Sequence, residues 1–122
     1  MIGVGNLGHA LLQNFPFAST GFSVDAAFDV SPAVVGSTVN HVPILSLNDL
    51  DDYIHTHTVD VVVLTIPQSV AQDTANRLMS LGVKGFWNFT NVELSSPYPD
   101  VKFENIHFAD SLLTLSYRIA NR

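Results

Sequence analysis

The chain has 122 residues, a formal net charge of −6 and no cysteine. This length suffices for one domain with its own core, and the lack of cysteine excludes disulfides and thiolate metal sites. The five basic residues are scattered, which argues against direct DNA binding by this chain. Only 13% of the residues are charged, which indicates that a partner subunit or a further domain covers part of the surface. The sequence contains no signal peptide and no apolar run of membrane-spanning length, so we expect a cytoplasmic protein without a membrane partner.

A glycine-rich turn opens the chain, between a short strand at Met1-Ile2 and a helix over 6–14. Gly3 would allow a tight turn, Gly5 would let backbone N–H groups approach a pyrophosphate, and Gly8 would let the helix pack close to the sheet. The positive N-terminal end of the helix would point at the phosphates. The candidate pyrophosphate-binding residues are Gly3, Val4, Gly5, Asn6, Leu7 and Gly8.

The second predicted strand covers 24–29 and ends in Asp29. A carboxylate at this position accepts hydrogen bonds from the ribose of an adenosine and repels a 2′-phosphate. No lysine or arginine occurs before Arg77 that could neutralise such a phosphate. The pattern therefore favours NAD and NADH over their phosphorylated forms.

Strands and helices alternate along the rest of the chain. Ser31-Pro32 predicts a short helix that stops at Gly36, and Pro43 places the following strand near an edge of the sheet. The remaining predicted elements are a helix at 47–54, a central strand at 60–66, a helix from Pro67 to Gly82, strands at 85–89 and 101–106, and a helix from Asp110. This order predicts an α/β fold, a Rossmann-like doubly wound parallel sheet with a truncated first strand.

In such a sheet a ligand lies beyond the carboxyl ends of the strands. The segments that meet there include Val30, Thr65 to Pro67, and Asn88 to Thr90. The apolar Pro67 and Phe89, with hydrogen-bonding groups on Thr65, Asn88 and Thr90, would suit a nicotinamide ring and its carboxamide.

Catalytic residues are not evident. The five histidines form no metal-ligand or nucleophile pattern, and the chain has no room for a substrate domain. We therefore expect no enzyme and no metal, and a nucleotide that acts as a signal. Two alternatives stay open: the nucleotide-binding domain of a larger dehydrogenase, and a CoA-binding module.

Five blocks of sequence, in order, resemble the NADH-binding domain of Rex, the redox-sensing transcriptional repressor of Gram-positive bacteria. The likeness extends over nearly all of the chain. The blocks are Gly3 to Leu11, Ala27 to Val30, Val63 to Pro67, Gly85 to Thr90, and Phe103 to Ile106.

The resemblance implies a homodimeric repressor that releases DNA when NADH binds. It implies a nucleotide domain at 1–108 and a dimerisation helix at 109–122 that is swapped onto the partner. Phe108 would enter the partner's nicotinamide pocket. The family holds DNA through an N-terminal winged-helix domain that this sequence lacks, so we expect a truncated form. The family commonly has aspartate at the position of His107, and this aspartate takes part in switching.

Overall fold

A computed structural model describes residues 1–106, 115 and 118–120. Three α-helices lie in the first of these ranges, with bounds at Asn6–Asn14 (α1), Leu50–Thr56 (α2) and Gln68–Ser80 (α3). Short 3₁₀ turns cover Phe17–Thr20 and Leu47–Asp49. The strands are Ala27–Asp29 (β1), Thr38–Val39 (β2), Val42–Ser46 (β3), Val62–Leu64 (β4), Gly85–Asn88 (β5) and Lys102–Asn105 (β6).

The sheet consists of two three-stranded halves, in the orders β1-β3-β2 and β4-β5-β6. All pairs are parallel except β2 with β3. Ile2 lies between the halves and forms parallel bridges with both Phe28 and Leu64. Its backbone N–H donates to the Val63 carbonyl at 2.8 Å, and its carbonyl accepts from the Thr65 N–H at 2.9 Å. The first strand is thus short but central, as expected.

Apolar side chains fill both faces of the sheet. On one face Ile2, Phe28 and Leu64 pack with Leu50 of α2 and Leu78 of α3. On the other face, Met1, Val4, Ala27 and Val63 pack with Leu12 of α1. Helices on opposite faces of a mostly parallel sheet confirm the predicted doubly wound architecture.

The structure corrects two local predictions. Residues 32–36 form hydrogen-bonded turns rather than a helix, because Gly36 adopts a φ of 89° and its N–H donates to the Ile44 carbonyl. The sequence analysis missed β2, which pairs with β3 through a hairpin at Asn40 and His41, with φ values of 48° and 68°. Histidine seldom marks such a turn, so the hairpin carried no clear signal.

Candidate functional site

The glycine turn follows Ile2 at the carboxyl edge of the sheet, and its backbone is tightly enclosed at two positions. Gly3 has a φ of 95°, and a Cβ there would lie 2.7 Å from the Thr65 carbonyl oxygen. A Cβ on Gly8 would lie 2.3 Å from the Gly3 carbonyl oxygen. A larger residue at Gly3 would clash with Thr65 and Ile66, and one at Gly8 would push α1 away from the turn and the sheet.

Gly5 differs from its two neighbouring glycines. A Cβ built on Gly5 would meet no atom of the protein within 4 Å, and its φ of −82° is open to any residue. Packing within the protein therefore does not require glycine at this position. The open space lies at the N-cap of α1, where a ligand could approach the backbone.

The N-terminal end of α1 provides an anion-binding environment. Gly5 is the N-cap and no side chain caps the helix, and the first turn carries no acidic residue. Helix N–H groups that lack an internal partner attract negative charge. The turn and helix together can receive a pyrophosphate, and they include every residue predicted for it, from Gly3 to Gly8.

Asp29 lies at the end of β1 and fixes the turn from the side. Its Oδ2 accepts a hydrogen bond from the Val4 N–H at 2.7 Å, and its Oδ1 accepts one from the Ser31 N–H at 2.9 Å. Each carboxylate oxygen keeps a further lone pair for a ribose hydroxyl. Val30, which follows it, is 76% exposed and can cover one side of a bound base.

Thr65 connects the glycine turn to β4. Its hydroxyl lies within hydrogen-bond distance of the Gly3 and Ile2 carbonyls, which share its one hydrogen. The hydroxyl therefore holds the backbone of the glycine turn. Thr65 also belongs to the segment predicted to line the nicotinamide end. Pro67, two residues further, is exposed at the N-cap of α3.

Asn88 orders the loop that follows β5. Its amide NH₂ donates to the Val92 carbonyl at 2.6 Å and to Asn105 Oδ1 at 2.8 Å. Its Oδ1 accepts from the Thr90 N–H at 3.0 Å and from the Thr90 hydroxyl at 2.6 Å. The side chain is 1% exposed and uses its full hydrogen-bonding capacity. In this conformation Asn88 therefore shapes the loop, and its contact with a cofactor stays a prediction.

The sequence analysis missed Asn105 as the partner that completes this network. An asparagine at the end of β6 opposite one at the end of β5 is a usable signal, because parallel strands in register place such side chains together. Phe89, also predicted for the site, packs its ring against Trp87 with the centroids 4.7 Å apart. Phe108 lies outside the described residues.

Within residues 1–106, 115 and 118–120, no three histidine or carboxylate side chains group closely enough to hold a metal ion. Over the same part of the chain, no helix is long and apolar enough to cross a membrane.

A mostly parallel sheet with helices on both faces, a glycine turn at its carboxyl edge and an acidic residue ending the next strand define a Rossmann-like nucleotide-binding domain. The chain belongs to the CoA-binding domain family, whose model matches residues 1–92.

Curated relatives are named as the redox-sensing transcriptional repressor Rex. The protein from Thermoanaerobacter sp. (strain X514) is 39% identical over 98% of this chain, and the one from Caldicellulosiruptor saccharolyticus is 42% identical over the same share. These matches cover 53% and 54% of the two relatives, so the chain spans about half their length.

Solved structures of RSP, a Rex-family repressor, share the fold. The structure in complex with β-NADH has a TM-score of 0.89 at 39% identity and covers 97% of this chain and 57% of that one. The structure with β-NAD⁺ and operator DNA has a TM-score of 0.88 at the same identity and covers 97% of this chain and 54% of that one.

Proposed function

We propose that this chain is the NAD(H)-sensing domain of a redox-responsive transcriptional repressor similar to Rex. In the whole repressor, NADH binding relieves DNA binding and repression, and DNA is held by a winged-helix domain outside this sequence. The protein acts as a cytoplasmic homodimer without catalytic turnover. Relatives named as repressors, and a related structure with β-NADH, support this assignment.

The space at Gly5 is the observation that carries the proposal. Gly3 and Gly8 are required by contacts within the protein, whereas Gly5 faces no protein atom within 4 Å. A ligand that occupies the space of the missing Cβ would explain why the residue at this helix N-terminus is a glycine. A pyrophosphate has the charge and size for this position.

Asp29 supports the choice of NADH over NADPH. Its carboxylate is already held by two backbone N–H groups, so it is oriented before a ribose arrives. A 2′-phosphate would lie against this negative charge, and the first basic residue in the sequence is Arg77. Arg77 is engaged elsewhere, with Asp51 at 2.7 Å.

The nicotinamide end would lie beyond β4 and β5. Thr65, Pro67 and Phe89 supply its lining, and the Asn88 network holds the loop that carries Phe89 and Thr90. Phe108 of the partner subunit would complete the pocket.

CoA is the second candidate ligand, because the matching family is described as a CoA binding domain. Its adenosine carries a 3′-phosphate and its pyrophosphate would use the same turn. NADH is favoured because the carboxylate of Asp29 is adjacent to the ribose position and no cation accompanies it.

The decisive experiment is a calorimetric titration of the chain with NADH, NAD⁺, NADPH and CoA. We expect saturable binding of NADH, weaker binding of NAD⁺, and little binding of NADPH or CoA. Gly5→Ala should weaken NADH binding by about tenfold or more, because its methyl group occupies the pyrophosphate position. The thermal midpoint of this variant should match that of the parent chain, which separates a ligand effect from a folding effect. Tight CoA binding, or NADH binding unaffected by Gly5→Ala, would contradict the proposal.

A further inference from the structure

Four aromatic rings form a connected row on the face of the sheet that carries α1. Phe15 and Phe17 follow the C-terminal end of α1, Trp87 lies on β5, and Phe89 comes directly after β5. Three of them, Phe17, Trp87 and Phe89, pack against the same core as Leu12 of α1. We call these four residues the aromatic row. It reaches from the end of α1 to the carboxyl edge of the sheet, where the candidate site lies.

Trp87 is the member of the aromatic row that contacts all the others. Its ring centroid lies 5.3 Å from that of Phe15, 6.3 Å from that of Phe17 and 4.7 Å from that of Phe89. The ring planes of these pairs are inclined by 67°, 86° and 64°, which is the edge-to-face arrangement that aromatic rings prefer. Two phenylalanines therefore fix the indole, and the indole in turn restricts the ring of Phe89.

The backbone of Phe89 is fixed independently of its ring. Its N–H donates to the Leu64 carbonyl at 2.9 Å, which extends the pairing of β5 with β4 to the carboxyl edge. The Asn88 carbonyl, one residue earlier, accepts from the Ile106 N–H at 2.9 Å. Alternation along the strand puts the Phe89 ring on the same face as Trp87. The backbone pairing thus sets the position from which the ring extends, while rotation about its side-chain bonds is limited by the rings beside it.

Trp87 is set back from the carboxyl edge of the sheet. It lies two residues before Phe89, which is about 7 Å along an extended strand. Both rings are half-buried, so part of the Phe89 ring stays accessible while Trp87 supports the ring from behind. The indole therefore lies on the far side of Phe89 from the predicted nicotinamide position.

We propose that Trp87 is a positioning residue for the nicotinamide end of the bound cofactor. Its indole holds the Phe89 ring in the orientation in which that ring packs against the nicotinamide, and Trp87 itself does not touch the cofactor. The inference rests on the proposed function, because it needs the nicotinamide to lie beyond β4 and β5. It assigns part of the affinity for NADH to a residue behind the binding surface.

Asn88 and Trp87 act on the same segment from opposite faces of the sheet. Asn88 alternates with Trp87 along β5, and its side-chain amide binds the backbone of Thr90 and Val92. The loop backbone is therefore still held by Asn88 when Trp87 is replaced. Removing the indole should free the Phe89 ring without unfolding the loop, so the effect of Trp87 can be measured in a folded chain.

Two ligands separate the nicotinamide end from the rest of the cofactor. ADP-ribose has the adenosine, the pyrophosphate and the second ribose of NADH, but no nicotinamide. Trp87→Leu should weaken NADH binding by about fivefold, because the aromatic pair that orients Phe89 is lost. The affinity for ADP-ribose should change by less than about twofold, because the turn that receives the pyrophosphate is unchanged. Calorimetric titration with both ligands measures this difference. Trp87→Phe, which keeps a ring beside Phe89, should restore most of the NADH affinity.

Phe103→Leu is the matched control for the loss of an aromatic ring. Phe103 stacks on Phe86 on the other face of the same half-sheet, with the ring centroids 5.1 Å apart. This variant removes a half-buried ring but leaves the aromatic row intact. Its thermal midpoint should fall, as in Trp87→Leu, while its ratio of NADH to ADP-ribose affinity should stay that of the parent chain.

The parent chain offers a second readout that needs no variant at Trp87. The chain has a single tryptophan, so the one indole N–H signal in a nitrogen–proton correlation spectrum belongs to Trp87. We expect NADH to shift this signal, because the Phe89 ring that touches the indole packs against the nicotinamide. ADP-ribose should shift it far less.

The outcomes distinguish this inference from the proposed function. A parent chain that does not bind NADH would overturn both. NADH binding that Trp87→Leu leaves unchanged, or that falls by the same factor as ADP-ribose binding, would overturn the inference alone. Equal shifts of the indole signal with the two ligands would do the same. Selective loss of NADH affinity in Trp87→Leu, with recovery in Trp87→Phe, would support the assignment.

Discussion

The two edges of the sheet differ in how tightly side chains fix the backbone. At the carboxyl edge Asp29, Thr65 and Asn88 bind neighbouring backbone groups and fix the turn and loops. At the amino edge the two half-sheets diverge around a cavity of about 670 Å³. The first edge is ordered before a ligand arrives, which lowers the entropy lost on binding. At the second edge the cavity is lined by side chains from both faces of the sheet, among them Tyr53 and Trp87.

The amino edge should make stability depend strongly on pH. Burial lowers the pKa of the Met1 amino group from 8.0 to about 5, against a smaller opposing effect of Asp25. Between pH 8 and pH 5 the Met1 amino group is therefore protonated in the unfolded chain and neutral in the folded chain. Stability should fall as pH decreases through this window, by up to about 4 kcal/mol, and this contribution should level off below pH 5.

Chemical unfolding at several pH values measures this dependence. Acetylation of the Met1 nitrogen removes the titrating group and is the matched control, because it leaves one N–H that can donate to the Ala26 carbonyl. An identical pH dependence in the acetylated chain would show that other groups are responsible.

The carboxyl edge should respond most strongly to Gly8→Ala. The added Cβ would lie 2.3 Å from the Gly3 carbonyl oxygen, so α1 must shift. We expect a loss of about 3 kcal/mol in the free energy of unfolding, typical of overpacking against backbone. Gly5→Ala should leave this free energy nearly unchanged. If the two variants lose equal stability, the distinction between structural and ligand-facing glycines is wrong.

Asn88→Ala should have a somewhat smaller effect. It leaves the buried Thr90 hydroxyl and the Val92 carbonyl without their partner, which we expect to cost about 2 kcal/mol. Asn105→Ala removes one of the four hydrogen bonds of Asn88 and should cost about half as much. Urea unfolding of both variants measures the two losses in free energy of unfolding. A larger loss for Asn105→Ala than for Asn88→Ala would show that Asn88 is not the main residue of the network.

The elements of the candidate site could be predicted from the sequence because local signals determine them. The bounds of α1 match the prediction at Asn6–Asn14, since glycines precede this helix and Phe15 and Pro16 follow it. Asp29 was found by its distance from the glycine turn. The remaining positions depend on chain segments far apart in sequence. The pairing of Asn88 with Asn105, for example, requires the register of β5 with β6.

Domain bounds at residues 108 and 109, the swapped helix, the homodimer and the role of Phe108 stay predictions. They depend on residues outside the described part of the chain or on a second subunit.

The segment from Met1 to Gly3 connects the two edges of the sheet, and this has a mechanical consequence. Met1 lines the cavity at the amino edge, and Gly3 begins the turn at the opposite edge, two residues further along the chain. An extended chain covers about 3.3 Å per residue, so this path is about 7 Å long. Ile2 bonds to Val63 and Thr65 on one side, while Met1 and Gly3 bond to Phe28 on the other, so this segment cannot slide without breaking backbone hydrogen bonds. A displacement of Met1 along the strand is therefore transmitted almost undiminished to the backbone that would contact the pyrophosphate.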